Sequence, residues 1–450
     1  MLAAQRVVLL PGRGPDVRIE TVPIKYSRRC KNISKLTIPA TLAITLGWAN
    51  VAIGDVGSEG WGRNWATSGS SYNRSYNRSR GRKWESQPNK GFPTLSKSNI
   101  APLNAAIKRY QGIVARGGWQ PVPMVKLKPG VRHQGVALLR RRLELTGDLP
   151  ARSRPSRRFD YYLDIAVKRF QVRHGLTPSG VVGRATILAL NVPAKERLSQ
   201  LRTNLVRLRT LSRKASKKYV VVNIPAAQIE AVENDEIVSR HAAVVGKLDR
   251  RTPLLSSNIH QINFNPFWHV PQSIVRKDLV PKARLYARRN KDILTEYRID
   301  AFTGSGRKLD PRRINWNSPA VYGYAYRQRP WKDNSMGFVK INFHNKHSVY
   351  MHDTPSKSLF GRNYRAASSG CVRVQNVKQL ISWLLAANQG WSGAQVAEME
   401  RNGTRKDVNL KRRVPVYFVY VTAWATKDGT INFRRDLYAR DRVGPMASAY

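Results

Sequence analysis

The hydrophobic period of this chain changes at Tyr219, and that change limits what each half can fold into. Before it, apolar residues recur three and four apart. Leu103, Ile107, Tyr110 and Val114 do so behind Asn99, which predicts a capped helix within 99–126 that ends at Gly117-Gly118. Leu198, Leu201, Leu205 and Leu208 repeat the pattern along a basic stretch, 194–217. After it, β-branched runs take over at 219–224, 241–245, 258–264, 339–343, 348–351 and 414–424. A Lys427-Asp428-Gly429 turn leads into 430–433 as a hairpin. Helices are expected near 274–297 and 376–388. A chain patterned this way is α+β and multidomain, which agrees with its 450 residues.

Between the two helical stretches, 127–193 reads as a small unit of its own. Val136, Leu139 and Leu143 form one apolar helix face; Leu163, Ile165, Ala166, Val167 and Phe170 form a second. A third short helix fits 183–190, after a glycine-punctuated turn from His174 to Gly183. The residues Phe170-Gln171, Gly175-Leu176, Gly180 and Thr186 resemble the pattern of the three-helix peptidoglycan-binding module. An insertion at 150–158 carrying four arginines departs from that pattern, and a plain helical spacer is the alternative reading.

The N-terminal region predicts export. Arg28, Arg29, Lys31 and Lys35 precede an uncharged, mostly apolar stretch from Leu36, with Ala52 and Gly54 at suitable cleavage positions. Residues 1–54 are therefore a signal peptide or, if retained, an N-terminal anchor, since the stretch is just long enough to span a bilayer. Residues 55–94 read as a disordered basic linker, too polar to bury a core. Its tandem Ser71-Tyr72-Asn73-Arg74 and Ser75-Tyr76-Asn77-Arg78 offers Tyr and Arg for base stacking. Export argues against a nucleic-acid partner. Net charge is +51, from 79 Lys and Arg against 28 Asp and Glu. Such a field attracts polyanions, among them nucleic acid, cell-envelope polymers and anionic lipid, and says nothing about fold.

The chemistry concentrates near the C-terminus. Cys30 precedes the export stretch, so a processed chain keeps one thiol, Cys371, and no intramolecular disulfide. His352 lies nineteen residues before it. A thiol attacks a carbonyl as its thiolate, and His352 can take that proton and return it to a leaving amine. The amides of Gly370 and Cys371 are candidate oxyanion donors. Arg373, two residues on in a strand, faces the same side as Cys371 and suits a substrate carboxylate or a thiolate. Asp353 either orients His352 or holds a turn. His344, His347, His352 and Cys371 could in principle bind zinc but match no closed zinc spacing; no metal and no cofactor are expected.

His352 followed by Ser368-Ser369-Gly370-Cys371-Val372-Arg373 resembles the catalytic core of the L,D-transpeptidases, the YkuD-type cysteine enzymes of cell-wall cross-linking. Ser369 stands where a second histidine is commoner. The segments 265–271, 336–340, 352–355 and 422–424 resemble the large periplasmic subgroup carrying a peptidoglycan-binding module. The resemblance implies a mostly-β catalytic domain at 218–436 with a mobile cap insertion at about 275–335, helical scaffold segments at 95–126 and 194–217, and a tail at 437–450. It implies that Trp268 lines the substrate groove and Tyr350 assists the oxyanion, beside Ser369, Gly370 and Arg373.

It further implies 3→3 cross-linking in the periplasm of a Gram-negative bacterium. Cys371 would form a thioester with the third residue of a tetrapeptide stem and release D-alanine. Peptidoglycan stem peptides and glycan strands are then the partners, with an outer-membrane lipoprotein as a possible acceptor. Water as acceptor would make a carboxypeptidase, a protein amine a linking enzyme, and a dispensable thiol a wall-binding scaffold.

Overall fold

The computed structural model describes residues 6–8, 20–22, 93–150, 156–444 and 446–448. The export stretch at 36–54, the linker through 92 with its tandem repeat, and the middle of the arginine-rich insertion lie outside these. Among the described residues no helix is long and apolar enough to cross a membrane. In the N-terminal unit, β1 (Arg6–Val8) pairs antiparallel with β2 (Glu20–Val22).

The second unit begins with α1 (Ile100–Ala115). Asn99 stands at its cap but makes no capping bond, contrary to expectation. Its side-chain amide instead donates to the Pro93 carbonyl at 2.7 Å and holds the incoming segment. Gly117 and Gly118, both at positive φ, end the helical path.

The small unit is α2 (Gln134–Leu145), α3 (Tyr161–Arg173) and α4 (Arg184–Asn191) around Val136, Leu139, Leu163, Phe170 and Leu190. Its sequence pattern has a structural cause. The Gln171 amide donates to Val181 O and Thr186 Oγ1, and its Oε1 accepts from Gly180 N–H. One buried glutamine thus ties turn and third helix to the second. Gly180 has φ +73°, which favours glycine, and a side chain there would have to displace the Asp164 carboxylate. The long helix α5 (Ala194–Leu211) then packs Leu198, Leu201, Leu205 and Leu208 against Leu103, Tyr110 and Ile113 of α1.

The strands are β3 (Lys218–Asn223), β4 (Gln228–Glu233), β5 (Glu236–Gly246), β6 (Leu255–Phe264), β7 (Trp268–His269), β8 (Ile299–Phe302), β9 (Ala325–Gln328), β10 (Val339–Phe343), β11 (Met351–His352), β12 (Ala366–Ser368), β13 (Val372–Val374), β14 (Lys406–Val419), β15 (Ala423–Ala425) and β16 (Ile431–Phe433). Eight of them close into a barrel: β5, β13, β11, β10, β6, β14, β3 and β4 pair in that order, and β4 pairs back onto β5. β12 adds to β5 from outside the ring. Closure leaves no free edge among these strands. The interior is apolar, with Val220, Val222, Ile229, Ile262, Ile341, Met351 and Val372 buried, and helices α6 (Val377–Leu384) and α7 (Gly393–Asn402) join this core.

Three boundaries differ from the sequence reading. The cap has a core of its own and runs from Trp268 to Met336, wider than 275–335. β7, β9 and β8 form a three-stranded sheet, and Val275, Leu279, Ile293, Trp316 and Tyr326 pack beneath it. The hairpin β15–β16 does not extend the barrel: Ala423, Ile431 and Phe433 bury against α1 and α5, so the helical scaffold is completed from the far end of the chain. The segment read as a tail is built in. Leu437 and Tyr438 join the barrel core, and the buried Asp441 carboxylate accepts from Arg207, Gln200 and Thr422.

Candidate active site

Register assembles the site. In the antiparallel pair β10–β11, Lys340 stands opposite His352, and in the parallel pair β11–β13, His352 stands opposite Arg373. Residues opposite each other share a face, so Lys340, His352 and Arg373 form one row across three strands. Two residues back along the chain, Tyr350 and Cys371 form a second row, where Val372 N–H donates to Tyr350 O at 3.0 Å. The intervening Ile341, Met351 and Val372 point into the barrel core. Cys371, His352, Tyr350, Arg373, Trp268 and Ser369 all line one cavity of about 190 Å³. Its far wall belongs to the cap, through Trp268, Ile274, Asp278 and Met336.

His352 is buried, and its Nδ1 lies 2.5 Å from the Asp353 main-chain carbonyl. A carbonyl only accepts, so Nδ1 carries the proton and Nε2 is left as the basic nitrogen. The backbone of Asp353 therefore orients the imidazole. Its carboxylate accepts from Phe338 N–H and pairs with Lys357, which is the turn-holding role. Burial first, then Arg373, push the imidazole down to about 3. Burial pushes the half-buried Cys371 thiol up, while hydrogen bonds from Tyr350 and the charges of Lys340 and Arg373 draw it back in part. Near neutral pH thiol and imidazole are both uncharged. Tyr350 is held well above the ordinary phenol range by burial, so its hydroxyl remains a donor within reach of Cys371. Trp268 Nε1 donates to that oxygen at 3.2 Å.

The loop before Cys371 corrects one expectation. Gly370 has φ +117°, which favours glycine, but its N–H donates to Ser368 Oγ at 3.2 Å and does not face the cavity as an oxyanion donor. Thr252 Oγ1 donates to Gly370 O, and the Tyr438 hydroxyl accepts from Thr252 N–H, so the built-in C-terminal segment braces this loop. Ser369 is exposed and accepts from Arg250 Nη1 at 2.8 Å.

Of the histidines weighed for zinc, His347 and His352 line the cavity with Cys371, while His344 stacks on His260 at 4.1 Å. No group of three metal-ligating side chains occurs among the described residues.

Sequence reasoning missed Lys340 and Arg250. Lys340 Nζ sits 4.5 Å over the Tyr350 ring. In the alternating strand Val339–Phe343 it reads as a solvated face, and only its pairing with His352 marks it. Arg250 lies in a loop; it bonds Ser369 and pairs with Asp278 of the cap. Nothing in the sequence signals either contact.

A partly buried thiol, a histidine with a fixed tautomer and a phenol donor on one barrel face form an arrangement suited to cysteine acyl transfer. Residues 217–416 match the family model described as "L,D-transpeptidase catalytic domain" (YkuD), and residues 132–190 match "Putative peptidoglycan binding domain". A Haemophilus influenzae protein named "Putative L,D-transpeptidase" is 31% identical over 224 residues, which cover 50% of this chain and 44% of that protein. The chain thus spans less than half the length of that curated relative. Among solved structures, an L,D-transpeptidase from Xylanimonas cellulosilytica aligns over 67% of this chain and 100% of that one, at 17% identity and a TM-score of 0.22. One from Stackebrandtia nassauensis aligns over 66% and 96%, at 12% identity and a TM-score of 0.25. By its two domain matches, the chain carries a YkuD-type L,D-transpeptidase catalytic domain and a peptidoglycan-binding domain.

Proposed function

We propose that this chain is an exported L,D-transpeptidase that forms 3→3 cross-links in peptidoglycan, working in the periplasm. The observation that carries the reading is the single cavity holding Cys371, His352 and Tyr350 on one barrel face under the cap. His352 Nε2 takes the Cys371 proton as the sulfur attacks the carbonyl of the third stem residue, a diaminopimelate. The neutral resting pair makes proton transfer concurrent with attack. The Tyr350 hydroxyl and the Cys371 amide stabilise the oxyanion. The carbon–nitrogen bond to the terminal D-alanine breaks, and the D-alanine amine leaves with the proton from His352. A thioester remains. The side-chain amine of a second diaminopimelate attacks it, its proton passes to His352, and the thiol is restored. Arg373 is suited to a stem carboxylate and Trp268 to the groove wall.

The test is intact-mass spectrometry of the purified chain with a carbapenem, beside Cys371→Ser, followed by a disaccharide-tetrapeptide. The expected result is a one-to-one adduct on the native chain only, D-alanine release and a cross-linked dimer. A tripeptide product would make it a carboxypeptidase, and a protein–muropeptide adduct a linking enzyme. No adduct and no D-alanine release from folded protein would overturn the enzyme reading in favour of a wall-binding scaffold.

A further inference from the structure

The catalytic cavity is not the largest one described. A more open cavity of about 930 Å³ lies where four separate parts of the chain meet: α1, the α2–α3 side of the peptidoglycan-binding domain, strands β4 and β5, and the hairpin β15–β16. It shares no lining residue with the catalytic cavity.

Its charge is lopsided in a particular way. Six cationic side chains line it against three carboxylates, and all three carboxylates are already committed to protein donors. Asp148 accepts two bonds from Arg173 and one from Thr146. Glu230 accepts from Arg240 and from Thr94 N–H. Asp428 accepts from Thr426 and Thr430 N–H. Among the cations, Arg173 and Arg240 are used in those pairs, and Lys168 pairs with Asp164. Arg109 and Arg169 are exposed at the rim, and Arg109 spends only one bond, on the Leu145 carbonyl. Arg434, the sixth cation, donates to the Arg173 and Phe433 carbonyls and lies 4.6 Å over the ring of half-buried Trp424, and Thr94, Thr146, Thr426 and Thr430 add hydroxyl-bearing side chains.

Exposed guanidinium groups with no carboxylate left to meet call for carboxylates on the ligand. Threonine hydroxyls beside those guanidinium groups suit the hydroxyls of a sugar ring. We propose that this cavity is a second binding site, for a carboxylate-bearing glycan strand of peptidoglycan, and that it holds the polymer while the thiol works in its own cavity. The proposal rests on the peptidoglycan reading above and adds where the polymer is gripped. It gives the hairpin β15–β16 a function: that hairpin closes the cavity from the catalytic end of the chain.

The test uses the full chain carrying Cys371→Ala, so that nothing turns over, in co-sedimentation with purified sacculi at several salt concentrations. Arg109→Glu with Arg169→Glu is expected to weaken binding about ten-fold or more, the effect of losing two charge-assisted bonds. Arg412→Glu with Arg413→Glu, equally exposed on β14 outside the cavity, carries the same change in net charge and is expected to stay within about two-fold. Equal loss in both pairs, or no loss in the first, overturns the proposal. Failure of the parent Cys371→Ala chain to bind sacculi overturns it together with the peptidoglycan reading. Carbapenem acylation of Arg109→Glu/Arg169→Glu with Cys371 intact is expected to match the native chain, which separates a lost grip from a lost fold.

Discussion

His352 and Cys371 are both neutral at rest, which sets their pH behaviour. Burial lowers the imidazole to about 3 and raises the thiol, so no thiolate–imidazolium pair is preformed. Alkylation of Cys371 by iodoacetamide is therefore expected to be slow at pH 5–7 and to rise only above the ordinary thiol range, near about 8.5. His352→Ala is expected to leave that profile nearly unchanged while slowing carbapenem acylation about 10²-fold or more, because the imidazole acts during attack and not before it. Rapid alkylation that is flat down to pH 5 would show a preformed ion pair and refute this account. At this scale the sequence was informative. Cys371, His352 and Arg373 stand out by residue type and spacing. Lys340 does not, because its meaning comes from the residue opposite it on another strand.

At the scale of elements, the cap is fastened to the catalytic loop by one buried ion pair. Arg250 reaches Ser369 of the motif and pairs with Asp278, which lies in a π-helical turn, Val275–Leu279, of the cap. Such turns recur at functional sites because they re-aim side chains. Both side chains are about nine-tenths buried, and Arg250 also keeps a longer pair with the exposed Asp249 at 3.6 Å, so removing the Asp278 charge weakens the tie to the cap without leaving the guanidinium unpaired. Asp278→Asn is expected to speed limited proteolysis within 272–335 and to slow carbapenem acylation. Unchanged cleavage and unchanged acylation would show that the cap is held by its other contacts. The existence of a cap insertion was readable from its helical stretch, whereas this fastening was not, since its three residues lie in segments remote in sequence.

For the whole molecule, buried neutral histidines predict acid lability. Burial holds His241 at about 4, His352 at about 3 and His174 well below its ordinary value. In the unfolded chain each titrates near 6.5. Between those values the unfolded state binds more protons, so stability rises with pH and falls on acidification from about 6.5 towards 4. Each such histidine contributes about 1.4 kcal/mol per pH unit in that window. The urea midpoint is expected to drop steadily from pH 7 to pH 4, and a midpoint that stays level would contradict neutral burial. The three histidines sit in different parts of the fold: His174 at the end of α3, His241 on β5 and His352 in the site. The drop should therefore be global and not confined to one domain.

The sequence by itself determined the local period, the turn glycines and the chemical kinds of residue. These are properties of neighbours along the chain: alternation of β-branched residues for the strands, three-to-four spacing for the helices, and a lone thiol before Val372-Arg373. Tertiary structure decided everything that depends on which segments meet. It closed eight strands by pairing β4 with β5, set Lys340 beside His352, turned the Gly370 amide into its own loop, and placed hairpin and C-terminal segment against α1, α5 and the barrel. Register and long-range burial are chosen by the free energy of the whole packed chain. No window of sequence contains that quantity.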